Sequence, residues 1–404
     1  MSDFFQNGDV TTLHRLGSSD LEQLEAKLVR MVRQRPVALV LPALYSEFEG
    51  EALPGIIKEL KKVKYLKQII VTLGRANEAE FEKAKLAFQG LDAEVRVIWN
   101  SGKRIEELYN MLGREGVSAG NDGKGRSAWM AYGYVLASEK SDVIALHDCD
   151  ILTYNRELLA RLCYPVVSTN LDFEFCKGYY SRVTDKMHGR VTRLFVTPLI
   201  RSLINILGSI DFLIYLDSFR YPLAGEFSMT ADLVRRNRIP GDWGLEVGML
   251  SEVYRNCSRK RVCQVDLCDN YEHKHQSLSK EHVDKGLMKM SIDIAQTIFR
   301  TMASMGVQLP ESLFKTLKAT YLRTAQDFLL KYTHDADING LSYDRHEDAM
   351  AIEAFMEAVV IAGDKYLEDP MGAPAIPNWN RATSAIPDFF EKLVDAVEKD
   401  NGGK

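Results

Sequence analysis

The feature that most constrains the fold is a series of short strand-like runs, each separated from the next by helical periodicity. The first is Val37-Ala38-Leu39-Val40-Leu41, closed at Pro42, and further runs lie at 68–72, 93–98 and 142–147. Short, largely continuous apolar character bounded by turn residues marks strands covered on both faces, the condition of a parallel sheet. Between them, residues 53–63, 78–89 and 127–140 read as helices, and Leu21, Leu24, Leu28 and Met31 place an amphipathic helix over 19–33. Strand and helix alternating in this order predict an α/β fold, with a Rossmann-like, mainly parallel sheet and right-handed crossovers. Ligands of such sheets sit beyond the carboxyl ends of the strands. Residues 42–47, 72–75 and 147–150 are therefore expected around one crevice.

From about residue 283 the pattern changes to helices, with apolar residues three and four apart over 288–305, 313–332 and 349–366. The expected division is an N-terminal helical arm (1–35), an α/β domain (36–282) and a C-terminal helical region (283–404). The last region should supply packing or a subunit contact; a homodimer is expected. The tail from Lys399 should fray. A net charge of −5 offers no basic field for a nucleic acid. The most apolar stretch, 194–216, contains Pro198, Arg201 and Asp211, and its longest uncharged run is about half the roughly 20 residues a membrane span needs. It reads as buried helix, without stable membrane insertion. Residues 1–7 show no basic segment leading into an apolar one, and six cysteines follow no disulfide or zinc spacing, so reduced thiols and a cytoplasmic location are expected.

The chemistry concentrates at few places. Asp148 and Asp150 lie two apart just past the fourth run, so if the chain stays extended both carboxylates reach one side. Two hard oxygen ligands there suit Mg²⁺ or Mn²⁺ bridging a diphosphate; a polar turn with solvated acids is the other reading. Gly120-Asn121-Asp122-Gly123-Lys124-Gly125-Arg126 is a glycine-rich loop entering a helix, a form suited to phosphate, although it lacks the Walker pattern. Arg190, between Gly189 and Thr192, offers a planar fork beside a hydroxyl and open amides, as a carboxylate or phosphate requires; a surface arginine is the alternative. Glu246 sits among apolar residues and glycines, where an unpaired carboxylate is costly, so a buried partner or a sugar hydroxyl is expected. His273 reads either as a surface histidine or, opposite a carboxylate-bound cation, as a further ligand.

Taken together these segments resemble the glucosyl-3-phosphoglycerate synthases, retaining glycosyltransferases of the GT-A fold (glycosyltransferase family 81), with related mannosyl enzymes nearby. The resemblance runs over 37–278, on Leu41-Pro42-Ala43-Leu44 with Glu47, Gly123-Lys124-Gly125, Asp148-Cys149-Asp150, Lys177-Gly178-Tyr179-Tyr180, Gly189-Arg190-Val191-Thr192, Pro222-Leu223-Ala224-Gly225-Glu226, Gly244-Leu245-Glu246-Val247-Gly248 and Glu272-His273. It implies that Pro42, Ala43, Leu44 and Glu47 line the uracil and ribose pocket, with Gly74 in the same donor site, and that Lys124 faces the nucleotide or sugar. It further implies that Asp150 and His273 ligate the metal with Asp148 on the ribose or metal side, that Gly189, Arg190 and Thr192 hold phosphoglycerate, and that Glu246 meets the glucosyl hydroxyls. Asp150, Glu246 and Lys124 become the catalytic candidates. The chain departs from the pattern at His147 and Cys149, at Leu73-Gly74-Arg75-Ala76-Asn77, and at His275, which stands where relatives carry an acceptor-assisting asparagine.

The reading is metal-dependent transfer of glucose, with retention, from a nucleoside diphosphate sugar, UDP-glucose first among them, to 3-phosphoglycerate or a similar small anionic acceptor. A mannosyl donor, a glycerate, lipid or polysaccharide acceptor, a sugar-phosphate nucleotidyltransferase and a non-catalytic nucleotide-sugar binder are the alternatives. The nucleotidyltransferase lacks its long glycine- and base-rich N-terminal loop at 41–50, and the Asp148, Asp150 and His273 set speaks against the binder.

Overall fold

The computed structural model describes residues 4–17, 20–240, 245–273, 286–372 and 374–402. All four anticipated runs are strands in an eight-stranded sheet: β1 (Thr11–Leu13), β2 (Val37–Leu44), β3 (Leu66–Gly74), β4 (Glu94–Trp99), β5 (Val143–Leu146), β6 (Phe175–Tyr179), β7 (Phe227–Thr230) and β8 (Val262–Asp266), in spatial order β1-β8-β6-β7-β5-β2-β3-β4. Every pairing is parallel except the two made by β7. The N-terminal arm contributes β1 to this sheet as well as a helix, Leu21–Met31. Alternate residues of β2 feed opposite faces. Val37, Leu39 and Leu41 join a layer with helices Ala52–Leu60 and Arg156–Val167, whereas Ala38 and Val40 join a layer with helix Lys124–Ser138 and the C-terminal helices. Full burial of each of these valine and leucine side chains contributes about 1.5–3 kcal/mol.

The apolar stretch at 194–216 becomes helices Thr197–Leu207 and Asp211–Asp217, with Leu199, Leu203, Leu213 and Leu216 in the core. Among the described residues no helix is long and apolar enough to cross a membrane. A wide π-helical turn, Thr192–Val196, precedes the first of these helices. Pro198 accounts for it: a proline has no N–H to offer the carbonyl four residues back, and its ring would strike that carbonyl. The carbonyl left over, that of Leu194, accepts a hydrogen bond of 2.7 Å from the buried hydroxyl of Tyr321 on helix Glu311–Ile338. Tyr321→Phe should therefore lower unfolding free energy by about 1–3 kcal/mol in urea titration, the cost of an orphaned buried acceptor. A loss below about 0.5 kcal/mol would mean that another donor reaches Leu194.

Of the segment expected to fray, residues 399–402 are described, and Asn401 there is tied to the sheet. Asn401 pairs with the outer edge of β4, its amide donating to the Val97 carbonyl at 2.9 Å and accepting from the Val97 N–H at 3.0 Å, while Glu398 accepts from Arg96 at 2.9 Å. This contact covers backbone that an edge strand leaves open.

Candidate active site

The carboxyl ends of β2, β3 and β5 lie side by side, Ala43 opposite Leu73 and Leu44 opposite Gly74. Pro42, Ala43, Leu44 and Gly74 thus share one rim, with Glu47 in the short turn Tyr45–Glu49 that follows β2 and close enough to Cys149 to act on it electrostatically. Beyond Gly74 the chain turns through Arg75, at φ 51°, a left-handed conformation costly for a side-chain-bearing residue and common at ligand sites. Trp99 Nε1 and Ser101 Oγ donate to the Ala76 carbonyl at 2.8 and 2.9 Å, and Asn77 caps the next helix, Glu78–Ala87, which spends the polar groups of this turn on its own support.

Extended geometry ends at Leu146, so Asp148 and Asp150 find different partners. Asp148 Oδ1 lies 2.6 Å from Lys124 Nζ, and the same ammonium lies 3.3 Å from Glu246 Oε1. Gly123 enters helix Lys124–Ser138 and puts Lys124 at its first position; Glu246 lies in the first turn of helix Leu245–Asn256. Burial works against ionising Asp148, but Lys124 outweighs it and holds the carboxyl below its usual range. Burial likewise opposes the charge on Lys124, and Asp148 and Glu246 overcome it, so the ammonium persists well above neutral pH. All three side chains keep some exposure, 33% for Lys124, 29% for Asp148 and 12% for Glu246, so a ligand can reach this triad. A β-carbon at Gly225 would fall 2.5 Å from Asp148 Oδ2, which explains the glycine there. His147 is buried with Nδ1 2.9 Å from the Asp148 carbonyl, and burial pushes it down to about 4, so it stays neutral.

Asp150 has a different partner, although His273 lies near enough to act electrostatically on Asp148 as well. Asp150 Oδ2 lies 3.4 Å from His273 Nδ1, and its buried Oδ1 has no hydrogen-bond partner among the described residues. A short antiparallel bridge from Ile151 to His273, the Leu152 N–H on the Glu272 carbonyl at 2.8 Å, and Thr153 Oγ1 accepting from the Glu272 N–H at 3.0 Å hold the two segments together. An orphaned carboxylate oxygen beside an imidazole suits a divalent cation with positions left for phosphate oxygens. Among the described residues no three His, Cys, Asp or Glu side chains form a closed metal cluster. Asp148, engaged by Lys124, lies within electrostatic reach of His273.

Sequence reading assigned no role to the support beneath. Glu226 is buried, pushed up by burial, and accepts from the Tyr271 hydroxyl at 2.5 Å and the Tyr180 hydroxyl at 2.8 Å. The two rings stack at 3.8 Å and 4°, and Tyr271 stands two residues before His273, so this clamp orients the histidine's segment. Lys177 is buried alongside, donates to the Ala224 carbonyl at 2.5 Å and is pushed down to about 8 by burial. The available signal was an acid within Leu223-Ala224-Gly225-Glu226-Phe227, a setting in which a carboxylate needs donors.

The Gly189-Arg190-Val191-Thr192 segment opens the helix that contains the π-turn. Gly189 has φ 72°, and a β-carbon there would approach the Tyr221 hydroxyl at 3.3 Å. Thr192 Oγ1 is buried without a hydrogen-bond partner among the described residues. Arg190 is neither free nor a plain surface residue: Nε donates to Asp348 at 2.8 Å and Nη2 pairs with Glu347 at 2.8 Å, both on helix Arg345–Glu368. His275 lies outside the described residues.

The mainly parallel eight-stranded α/β sheet with its C-terminal helical region has the fold of GT-A glycosyltransferases. No protein-family model matches the chain. Curated relatives do: it is 52% identical over 401 residues to a glucosyl-3-phosphoglycerate synthase of Persephonella marina, covering 99% of both chains, and 41% identical over 403 residues to one of Methanococcoides burtonii, covering 98% of both. It belongs to the glucosyl-3-phosphoglycerate synthase family. A crystal structure of the Mycobacterium tuberculosis glucosyl-3-phosphoglycerate synthase in complex with Mn²⁺, UDP-glucose and phosphoglyceric acid superposes with a TM-score of 0.52 at 21% identity, over 74% of this chain and 89% of that one, a likeness of fold.

Proposed function

We propose that this chain transfers glucose from UDP-glucose to 3-phosphoglycerate with retained configuration, giving glucosyl-3-phosphoglycerate. The observation that carries the reading is the Asp150–His273 pair with its orphaned buried oxygen, set beside Lys124, Asp148 and Glu246 in a chain alike from end to end to named synthases of this product. In this reading Pro42, Ala43, Leu44, Glu47 and Gly74 receive the base and ribose. Asp150 and His273 hold Mg²⁺ or Mn²⁺, which supplies charge neutralisation for the departing diphosphate. Lys124 places a fixed positive charge next to the donor, with Asp148 and Glu246 preventing its deprotonation. Glu246 accepts from the glucosyl hydroxyls and so orients the anomeric carbon. Gly189, Arg190 and Thr192 bind the acceptor, with a further contact assigned to His275.

Retention follows from same-face displacement. The bond from the anomeric carbon to the diphosphate oxygen breaks, the bond to the acceptor hydroxyl oxygen forms on that face, and the hydroxyl proton passes to the departing phosphate. This route needs no protein nucleophile, consistent with Glu246 being held by Lys124. We also place the enzyme in the cytoplasm, since all six cysteines are buried free thiols. A homodimer belongs to the same reading, supported by exposed Leu330, Ile338, Met350 and Leu367 on the C-terminal helices; sedimentation velocity decides it.

The test is a screen of nucleotide sugars against phosphorylated, carboxylated, lipid and polysaccharide acceptors, reading released nucleoside diphosphate with and without EDTA. UDP-glucose with 3-phosphoglycerate should give the highest turnover, lost in EDTA and restored by Mg²⁺ or Mn²⁺. Undiminished turnover in excess chelator removes the cation from the reaction. Preference for a mannosyl donor, or for a lipid or polysaccharide, transfers the chain to that alternative.

A further inference from the structure

The C-terminal helices do more than pack. Helix Arg345–Glu368 opens on Asp344, whose side chain caps the Glu347 N–H, and its first turn presents Glu347 and Asp348 side by side to the acceptor segment. Acids in a first turn suit the helix dipole, but the dipole does not explain their partners. Asp348 Oδ1 accepts from Arg190 Nε at 2.8 Å, and its Oδ2 accepts from both terminal nitrogens of Arg193 at 3.3 Å. Arg193 in turn donates Nε to the His188 carbonyl at 3.0 Å, and the Ser342 N–H donates to the Asp185 carbonyl at 2.7 Å, so the helix region also braces the loop leading into Gly189.

The two acids differ sharply in exposure. Asp348 has 4% of its side chain exposed and Glu347 has 59%. A buried carboxylate between two arginines cannot leave without stranding charge, whereas an exposed one exchanges its partner for water at little cost. Arg190 is thus gripped at Nε by a fixed partner while Nη2 is covered by a replaceable one. We propose that Asp348 is the positioning residue of the acceptor pocket, and that Glu347 is a resident counter-anion which the acceptor's phosphate or carboxylate displaces from Arg190. This rests on the reading above that Arg190 binds the acceptor. It makes neighbouring acids on one helix act in opposite directions, which a purely structural role for either does not.

The experiment uses the full-length enzyme, with 3-phosphoglycerate titrated at saturating UDP-glucose and, in parallel, calorimetric binding of 3-phosphoglycerate and of UDP. Arg190→Ala is the reference and should raise the acceptor KM about tenfold to a hundredfold with UDP affinity unchanged. Asp348→Asn should raise the acceptor KM about tenfold with kcat nearly unchanged, and Asp348→Glu should recover part of that loss. Glu347→Gln should lower the acceptor KM about twofold to fivefold. If Arg190→Ala leaves acceptor affinity intact, the acceptor site itself is misassigned. If it weakens the acceptor but Glu347→Gln does not strengthen it, or Asp348→Asn lowers kcat without moving KM, this inference alone is overturned. Should Asp348→Asn fail to fold, exposed Glu347 still decides the matter, because its removal predicts a gain.

Discussion

Asp150→Ala should abolish turnover and leave the fold intact. Its Oδ1 is buried without a partner and its Oδ2 faces His273, so the carboxylate contributes little to stability in this state and its removal relieves an unmet acceptor. Activity should fall by on the order of 10³-fold or more, since the positive charge that balances the leaving diphosphate is then unanchored. The melting temperature without metal should hold or rise slightly, and the increment that Mg²⁺ or Mn²⁺ adds to wild type should vanish in the variant. Differential scanning calorimetry with and without metal, beside initial rates, reads both. An active variant, or one whose melting temperature still climbs with metal, moves the cation away from Asp150.

Lys124→Met is expected to have the next largest effect. The ammonium separates Asp148 from Glu246, and without it two carboxylates share a partly enclosed space with no cation between them. Asp148 loses the neighbour that holds it below its usual range, so its affinity for a proton rises. Loss of a preorganised charge beside the donor should cut kcat/KM for UDP-glucose by about 10²–10³-fold. Lys124→Arg should regain part of this, since it keeps the charge while changing its shape. Initial rates over a range of UDP-glucose give the comparison. Activity within about threefold of wild type would reduce Lys124 to a structural ion pair.

The sheet was legible where a strand lay in a markedly apolar run. Residues 37–41, 68–72, 93–98 and 142–147 carry enough apolar side chains to imply burial on both faces, and β2 to β5 stand there. By contrast β1, β6, β7 and β8, three to five residues long, are interrupted by polar residues or glycine, as in Phe175-Cys176-Lys177-Gly178-Tyr179, whereas the equally short β5 is apolar throughout. The reversed direction of β7 is likewise invisible along the chain, because strand direction is decided by where the connecting helices pack. Within the site, Asp148, Asp150, Lys124, Glu246 and His273 could be singled out because acids, a lysine and a histidine beside strand ends or glycines carry a chemical signal in one dimension. Their grouping could not. The strand stops at Leu146, and Asp148 and Asp150 then take different partners, Lys124 and His273, which the two-residue spacing does not announce.

What the sequence by itself determined is therefore the α/β class and the residue types gathered at the carboxyl ends of the strands, since burial period and turn chemistry are local properties of the chain. The tertiary structure alone decided which charges meet. Lys124 reaches Asp148 and Glu246 across separations of 24 and 122 residues, Tyr271 finds Glu226 across 45, and Arg190 finds Asp348 across 158. The 283–404 region read from its periodicity as packing, and so it is, but two acids in the first turn of one helix acquire a different meaning once that helix lies against Arg190. The physical reason is that periodicity reports which face of an element is buried, whereas the partner of a buried charge is set by how whole elements dock, and no local pattern encodes that distance.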